Sequence, residues 1–210
     1  MAPRGQEMTP ARQRHWLKLP AMLIGMAGFA LILWAGWIPA KAKLAQFLLQ
    51  RAWMESQTTG TPVKAWGWAD TWPVAKLSIP AIAFEAIILR EAGGEGLAFG
   101  PVLLNQSASL GEDGLSVISA HRDTHFKPLA QLKPGMKIHI EPLKGPTLTY
   151  QVEQMRIAPW DRSGLSKDSF EPTLALTSCW PFEDVTPGPL RFIAEARLLQ
   201  SLPSTQAAPL

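Results

Sequence analysis

The residue with the most specific chemistry in this sequence is Cys179, the single cysteine, in the segment LALTSCWPF from Leu174 to Phe182. One cysteine cannot form an internal disulfide, so in a domain outside the cytoplasm its sulfur needs another explanation. Nucleophilic catalysis is one explanation, because a thiolate attacks carbonyl carbon readily. The alternative is a buried cysteine that packs as a small hydrophobic side chain.

Two further polar residues stand beside apolar runs, as Cys179 does. His121 ends the segment VISAH, and Arg191 begins the segment RFIA. A histidine can favour a thiolate and carry a proton, and a guanidinium can stabilise the oxyanion of a tetrahedral intermediate. If a rigid sheet holds all three at one cleft, the set predicts acyl transfer on a cysteine. Taken singly, His121 also fits a structural histidine, and Arg191 fits a surface ion pair.

The order of these residues and their neighbours resembles the sortases, which are membrane-anchored cysteine transpeptidases of bacteria. The likeness is carried by AHRDTHF around His121, by LTSC ending at Cys179, and by Arg191 twelve residues later. It covers roughly Trp72 to Leu198. The tryptophan-rich segment Ala65–Pro73 and the ending CWPF resemble the branch found in Gram-negative proteobacteria.

The sequence departs from the common sortase pattern in two places. A T-L-x-T-C motif aligned on Cys179 meets Ala175 and Ser178 where threonines usually stand, and Ala120 replaces the usual glycine before His121. Ser178 keeps a hydroxyl group and Ala120 stays small, so the resemblance still implies the same chemistry.

The resemblance implies an all-β fold, a closed eight-stranded barrel with short helices. It also implies a surface protein partner with a C-terminal LPxTG-like sorting signal, cleaved between threonine and glycine. Cys179 would be the nucleophile that forms a thioester. His121 would be the general acid for the leaving amine and then the base for the incoming one, and Arg191 would clamp the substrate and the oxyanion. No cofactor and no metal are expected, and the acceptor amine stays open.

Residues 19–40 contain no charged residue, and about 20 apolar residues suffice to cross a bilayer as a helix. Arg4, Arg12, Arg14 and Lys18 precede this segment, and Lys41 and Lys43 closely follow it. This bias predicts that the N-terminus lies in the cytoplasm. We therefore expect an uncleaved, single-pass signal anchor in the bacterial inner membrane, with an extracytoplasmic, periplasmic catalytic domain. The alternatives are a signal peptide cleaved near Ala40-Lys-Ala42 and a buried core helix.

Composition agrees with one compact domain of short strands. The chain has 210 residues, of which 47% are hydrophobic, with 19 prolines and 16 glycines that favour turns over a helical bundle. The net charge of +3 is small, and much of it lies near the predicted anchor, so no nucleic-acid partner is expected.

The pattern of apolar residues and turn residues divides the chain into five predicted segments. They are a cytoplasmic tail (1–18), the transmembrane anchor (19–40), a juxtamembrane helix and linker (41–71), the catalytic barrel (72–199) and a disordered tail (200–210). A short helical turn is expected at 129–132. Strands are expected near Val74–Ile79, Phe84–Leu89, Leu115–Ala120, Lys137–Glu141, Thr147–Ala158, Thr173–Cys179 and Arg191–Leu198.

Two other motifs in the sequence are not assigned a function. His125 lies four residues after His121, but Arg122 stands where a zinc protease motif needs glutamate, and no clear third ligand is supplied. The segment LPST at 202–205 is close to the sorting signal itself, and we interpret it as chance in a tail rich in proline and serine.

Two competing functions remain open from the sequence. One is an exported cysteine hydrolase or L,D-transpeptidase acting on cell-wall peptides, whose local motif places histidine and glycine before the cysteine, unlike Ser178-Cys179. The other is a membrane-tethered β-domain that binds a partner without catalysis, for which an unreactive thiol is expected.

Overall fold

The computed structural model describes residues 10–91, 94–166, 170–184 and 186–202 of the chain. The chain falls into two compact units, Met1–Leu44 and Ala45–Leu210. Residues 200–202, which the sequence places in the disordered tail, belong instead to the last strand of the chain. The rest of that tail (203–210), residues 1–9 of the first tail and most of the LPST segment lie outside the described residues.

One long helix, α1, runs from Pro10 to Thr59. Proline suits the first position of a helix, where its missing N–H has no partner to lose, and α1 therefore begins inside the segment predicted as a tail. The same helix continues through the predicted juxtamembrane segment. At its end the N–H of Gly60 donates to the Ser56 carbonyl at 2.9 Å, and Gly60 adopts a φ of +66°, a left-handed conformation that often ends helices.

The part of α1 in the first unit is apolar and exposed. From Pro20 onward the helix is long and apolar enough to cross a membrane, with a mean hydropathy of 2.0 in its most apolar stretch, none of which is buried. Large side chains such as Phe29, Ile32 and Trp34 are exposed. A contiguous apolar surface of this kind agrees with the predicted transmembrane helix.

The second unit contains a closed β-barrel, which confirms the predicted fold class. Its strand order is β1-β2-β3-β4-β7-β8-β6-β5, and β5 pairs with β1 to close the barrel. Pairs β2–β3 and β4–β7 are parallel, and the other neighbouring pairs are antiparallel. The eight strands found in the described residues are β1 (Thr71–Ile79), β2 (Phe84–Glu91), β3 (Val102–Leu103), β4 (Gly114–Ser119), β5 (Lys137–Pro142), β6 (Thr147–Pro159), β7 (Pro172–Cys179) and β8 (Leu190–Leu202).

Short 3₁₀ helices lie between the strands; those in the described part of the chain are at Pro80–Ile82, Gly96–Ala98, Lys127–Gln131 and Trp160–Arg162. The helical turn expected at 129–132 belongs to the third of these. Strand β3 was not predicted, because two residues are too short to show an alternating pattern. It is recognisable only from its pairing, in which Val102 lies opposite Ser119 on β4 and Leu89 on β2.

The barrel interior is filled by alternate residues of the strands. Leu77, Ile118, Ile140 and Leu176 are fully buried there, and Phe126 from the turn after β4 packs with them. The last turns of α1, from Ala45 onward, lie in the same unit, and Leu49 packs in a smaller cluster with Leu89 of β2 and Val102 of β3. These contacts make the barrel a rigid support for groups at its strand ends.

Candidate active site

Cys179 is the last residue of β7, and strand alternation places it on the outer face of the barrel. Leu174 and Leu176 belong to the interior cluster. Because side chains alternate along a strand, Ser178 also points inward, whereas Thr177 and Cys179 both point outward. Cys179 is half-buried and forms no disulfide. Its sulfur therefore stands at the end of a strand, outside the core.

Arg191 is the residue directly opposite Cys179 on β8. Side chains of directly opposed residues in an antiparallel pair lie on the same face of the sheet. Phe192 and Ala194 belong to the interior cluster, which also places Arg191 on the outer face. Its Nη1 donates to the carbonyls of Gly188 at 2.8 Å and Leu190 at 2.9 Å. These bonds use one nitrogen of a guanidinium that carries five N–H donors.

His121 follows β4, the other neighbour of β7. The parallel register ends with Ser119 opposite Thr177, and the N–H of Ala120 still donates to the Thr177 carbonyl at 3.2 Å. Ala120 packs in the interior, so the next residue, His121, comes on the outer side and level with Cys179. Its side chain is exposed.

The register therefore brings the three predicted residues to the same end and the same face of three adjacent strands. The Oγ of Ser178 donates to the Ala120 carbonyl at 2.8 Å in a buried hydrogen bond, which ties β7 to the segment carrying His121. Both Ser178 and Ala120 are positions where the sequence departs from the common sortase pattern. The hydroxyl retained at Ser178 thus fixes the spacing of the two strands next to Cys179.

The backbone just after Cys179 is held by aromatic contacts. The N–H of Trp180 donates to the Leu190 carbonyl at 3.0 Å. The Trp180 ring meets Phe182 edge-on with centroids 5.5 Å apart, and Phe182 packs on Phe192 at 5.1 Å. Such aromatic clusters bury a large area in a fixed geometry, so the start of the β7–β8 loop is well supported.

An open pocket of about 430 Å³ lies beside Trp180. Its walls are mostly apolar and include Leu132 and Met155, while Arg156 and Glu183 add one charge of each sign. A surface of this kind can accept an apolar side chain and orient a polar group beside it.

Arg156 connects the β6–β7 loop to the sheet. Its Nε and Nη2 donate to the Ser163 carbonyl at 3.0 and 2.9 Å, and its Nη2 lies 2.7 Å from Glu195 Oε1. Burial raises the pKa of Glu195, but hydrogen bonds from Arg156 and Gln154 and the charge of Arg156 outweigh it, so the net pKa is lowered. The carboxylate is thereby kept ionised, and the loop next to the β8 strand is fixed.

The turn after β4 carries a second histidine. Burial lowers the pKa of His125, the nearby His121 lowers it further, and Asp123 opposes them. Its neutral form is thereby favoured, and the two imidazoles lie close enough for the charge of one to affect the other. Among the described residues no group of three or more histidine, cysteine, aspartate or glutamate side chains is placed to hold a metal ion.

Sequence reasoning missed two arginines that organise this region. Arg156 stands between Met155 and Ile157, but β6 also carries Gln151, Glu153 and Gln154, so its sequence does not single out this arginine. Arg122 is buried and donates to the Thr186 carbonyl at 2.5 Å. No local pattern separates Arg122 from a solvated turn residue, because its partner is 64 residues away.

Comparison with known proteins identifies the family. A family model described as "Sortase domain" matches residues 77–199. Sortase D from Bacillus subtilis (strain 168) is 30% identical over 118 residues, which cover 56% of this chain and 59% of that relative. The matched region thus spans less than two thirds of the curated relative's length.

Solved structures show the same fold. A Clostridium perfringens sortase D5 transpeptidase aligns with a TM-score of 0.59 at 19% identity, covering 75% of this chain and 99% of that one. Listeria monocytogenes sortase A aligns with a TM-score of 0.57 at 17% identity, covering 64% of this chain and 92% of that one. With the family match over more than half of the sequence and the closed barrel described above, the chain belongs to the sortase family.

Proposed function

We propose that this protein is a membrane-anchored cysteine transpeptidase that cleaves an LPxTG-like sorting signal and transfers the protein carrying it to an amine. The observation that carries the proposal is the shared position of Cys179, His121 and Arg191 at one end of β4, β7 and β8, on the outer face. Support also comes from family membership and from the structural relatives, of which the Clostridium perfringens sortase D5 is described as a transpeptidase.

In the first half-reaction the Cys179 thiolate attacks the carbonyl carbon of the scissile peptide bond. A C–S bond forms, the carbonyl oxygen becomes an oxyanion, and the C–N bond then breaks to leave a thioester. His121 gives its proton to the departing amine, which would otherwise leave as an unstable anion. The exposed imidazole can meet a substrate lying along the outer face.

Arg191 has two roles in this proposal. Nη1 is tied to two carbonyls of its own loop, which fixes the direction of the guanidinium, and the other N–H groups can bind the oxyanion or a substrate carbonyl. Because the donors are oriented before the reaction, little reorganisation is needed when the charge develops.

In the second half-reaction an amine attacks the thioester. It loses its proton to His121 as the new C–N bond forms, and the C–S bond breaks to restore the thiolate. The acceptor can be a cell-wall precursor, a lipid-linked amine or another protein. Water in place of the amine would give hydrolysis.

The proposed cellular placement rests on the apolar part of α1. We propose that residues 19–40 cross the bacterial inner membrane once, with residues 1–18 in the cytoplasm and the following helical residues next to the membrane. The barrel, from the start of β1 at Thr71 to the end of β8 at Leu202, then lies in the periplasm. The exposed apolar surface of α1 supports a membrane span, and the four Lys and Arg residues before position 19, against two in the first few residues after position 40, support this orientation. The proteobacterial branch stays a prediction that rests on the tryptophan-rich segment and CWPF.

The proposal is tested by trapping the thioester. The protein is incubated with sorting peptides that vary around LPxTG, and the mass of the intact protein is measured. We expect an added mass equal to the peptide fragment ending in threonine, which Cys179→Ala abolishes completely because no nucleophile remains. A variant without Cys179 that still cleaves the peptide would refute the mechanism.

The acceptor is tested in the same system with and without an added amine. A transpeptidase gives a new amide product whose amount rises with amine concentration. Free carboxylate at every amine concentration would instead identify a hydrolase, and an inert thiol with no peptide turnover would favour the binding-domain alternative.

A further inference from the structure

We propose that Arg122 is a positioning residue, which holds the β7–β8 loop against the turn of His121 and so sets the spacing of the three active-site groups. The inference deepens the proposed function and rests on it. Arg122 follows His121 directly, and the loop that it contacts runs between Cys179 and Arg191. One side chain therefore connects the two parts of the chain that supply all three groups.

The contact is specific and shielded from water. Arg122 is only 7% exposed, and its Nη2 donates to the Thr186 carbonyl at 2.5 Å. Charge-assisted hydrogen bonds of this kind are stronger than those between neutral groups, and more so where water is excluded. The bond therefore restrains the loop at its middle, away from the two strands that hold its ends.

The segments on both sides of this hydrogen bond are restrained by further hydrogen bonds. On the loop side, the N–H and Oγ1 of Thr186 both donate to Asp184 Oδ1, at 2.9 and 2.6 Å. On the histidine side, the N–H of Phe126 donates to the His121 carbonyl at 3.0 Å, and the Phe126 ring is fully buried in the core. A displacement of either side is thus transmitted to the other through Arg122.

Stability alone does not explain a charge at this place. Nη1 of Arg122 has almost no exposed area and no hydrogen-bond partner among the described residues. A buried donor without a partner is costly, and an apolar side chain of similar volume in such a site is often neutral or stabilising. Because Nη1 is sealed from solvent, it is not placed to bind a ligand either. The remaining consequence of the guanidinium is the restraint on Thr186.

The first test compares two substitutions with a matched control. Arg122→Met keeps the length and loses the donor, while Arg122→Lys keeps one donor able to reach the Thr186 carbonyl. Arg51→Met removes an exposed arginine on α1 and serves as the control. The readouts are the rate of thioester formation, kcat and KM with a sorting peptide, and the midpoint of thermal unfolding.

We expect Arg122→Met to lower kcat about tenfold to a hundredfold, the size of effect that a displacement of about 1 Å produces, with little change in KM. The unfolding midpoint stays equal or rises. Arg122→Lys keeps kcat within about threefold of the original protein, and Arg51→Met changes nothing. An unchanged kcat in Arg122→Met would overturn the proposal. So would a loss of kcat that only parallels a lower unfolding midpoint, or a Lys variant as slow as the Met variant.

The second test does not depend on enzymatic activity. Amide hydrogen exchange of residues 182–190 is measured in the original protein and in Arg122→Met, and we expect faster exchange of this loop only in the variant. Unchanged exchange would overturn the role of Arg122. If no sorting peptide forms a thioester with the original protein, the proposed function fails, and the exchange result still decides whether Arg122 restrains the loop.

Discussion

Alternate residues of β4, β7 and β8 build the inner and outer faces of the barrel, and the two faces differ at the strand ends, although Ala175 and Ile193 are buried on the outer face as well. Inward residues such as Ile118, Leu176 and Phe192 are apolar and buried. Outward residues at the strand ends are Cys179 and Arg191, and His121 follows on the same side. The inner face fixes where each strand lies, and the outer face uses that position for chemistry.

This comparison shows how closely the site depends on strand register. Since strand side chains alternate with a period of two, a slip of one residue in β7 would move Cys179 into the core and Ser178 to the surface. The interior cluster opposes such a slip, because it would expose Leu174 and Leu176. The catalytic arrangement is therefore specified by residues that touch no substrate.

The largest difference between the faces is expected in stability. Leu176→Ala removes a fully buried side chain from the barrel interior, and we expect a loss of about 2–5 kcal/mol in the free energy of unfolding. The control is a variant of its outward neighbour, Thr177→Val, which keeps the shape of the side chain and loses only a long hydrogen bond to the Ile118 carbonyl at 3.5 Å. We expect this control to change the free energy of unfolding by no more than about 1 kcal/mol. Denaturant unfolding of both variants measures the difference. Equal losses would contradict the assignment of faces.

The sequence alone predicts the alternating pattern behind this experiment. It also predicts that Cys179, His121 and Arg191 lie at strand ends. Seven of the eight strands were expected close to where they lie. These features depend on neighbours a few residues apart, which local composition records. The catalytic roles of the three residues stay predictions until the thioester test is done.

Features that depend on distant contacts could not be predicted. Strand β3 exists because two residues fit between β2 and β4, and its own sequence has no pattern. The buried Arg122 finds its hydrogen-bond partner at Thr186, 64 residues away, and the pairing of Arg156 with Glu195 also joins distant residues. The start of α1 at Pro10 was missed for a different reason, since charged residues after the proline indicated a solvated tail.

A smaller effect is expected where a polar group lies on the inner face. Ser178 is buried and its Oγ donates to the Ala120 carbonyl, so Ser178→Ala leaves that acceptor without this donor. We expect a loss of about 1–3 kcal/mol in the free energy of unfolding and a slower formation of the thioester, because the strand of Cys179 is no longer tied to the segment of His121. Ser119→Ala, on the outer side of β4, is the control and should leave unfolding nearly unchanged. If both variants unfold alike, the buried bond does not fix the spacing.

The smallest effect concerns the one phenol of the chain, which lies on the inner face. Burial raises the pKa of Tyr150 to about 12, although a hydrogen bond from the Gly111 N–H lowers it in part. The ordinary value is about 10, so the folded state keeps the proton that the unfolded chain releases between these values. The resulting stability is fully present below pH 10 and is lost as the pH rises toward 12.

Because Tyr150 is the only tyrosine, its phenolate absorbance can be titrated without interference from another residue of its type. We expect a midpoint near 12 in the folded protein and a return to the ordinary value in denaturant. Tyr150→Phe should remove the transition and cost about 1 kcal/mol, since the Gly111 N–H loses its acceptor. An ordinary midpoint in the folded protein would mean that the barrel interior admits water at this position. In that case the inner face would be hydrated at the end of the barrel next to the β3–β4 loop, and it would differ less from the outer face there.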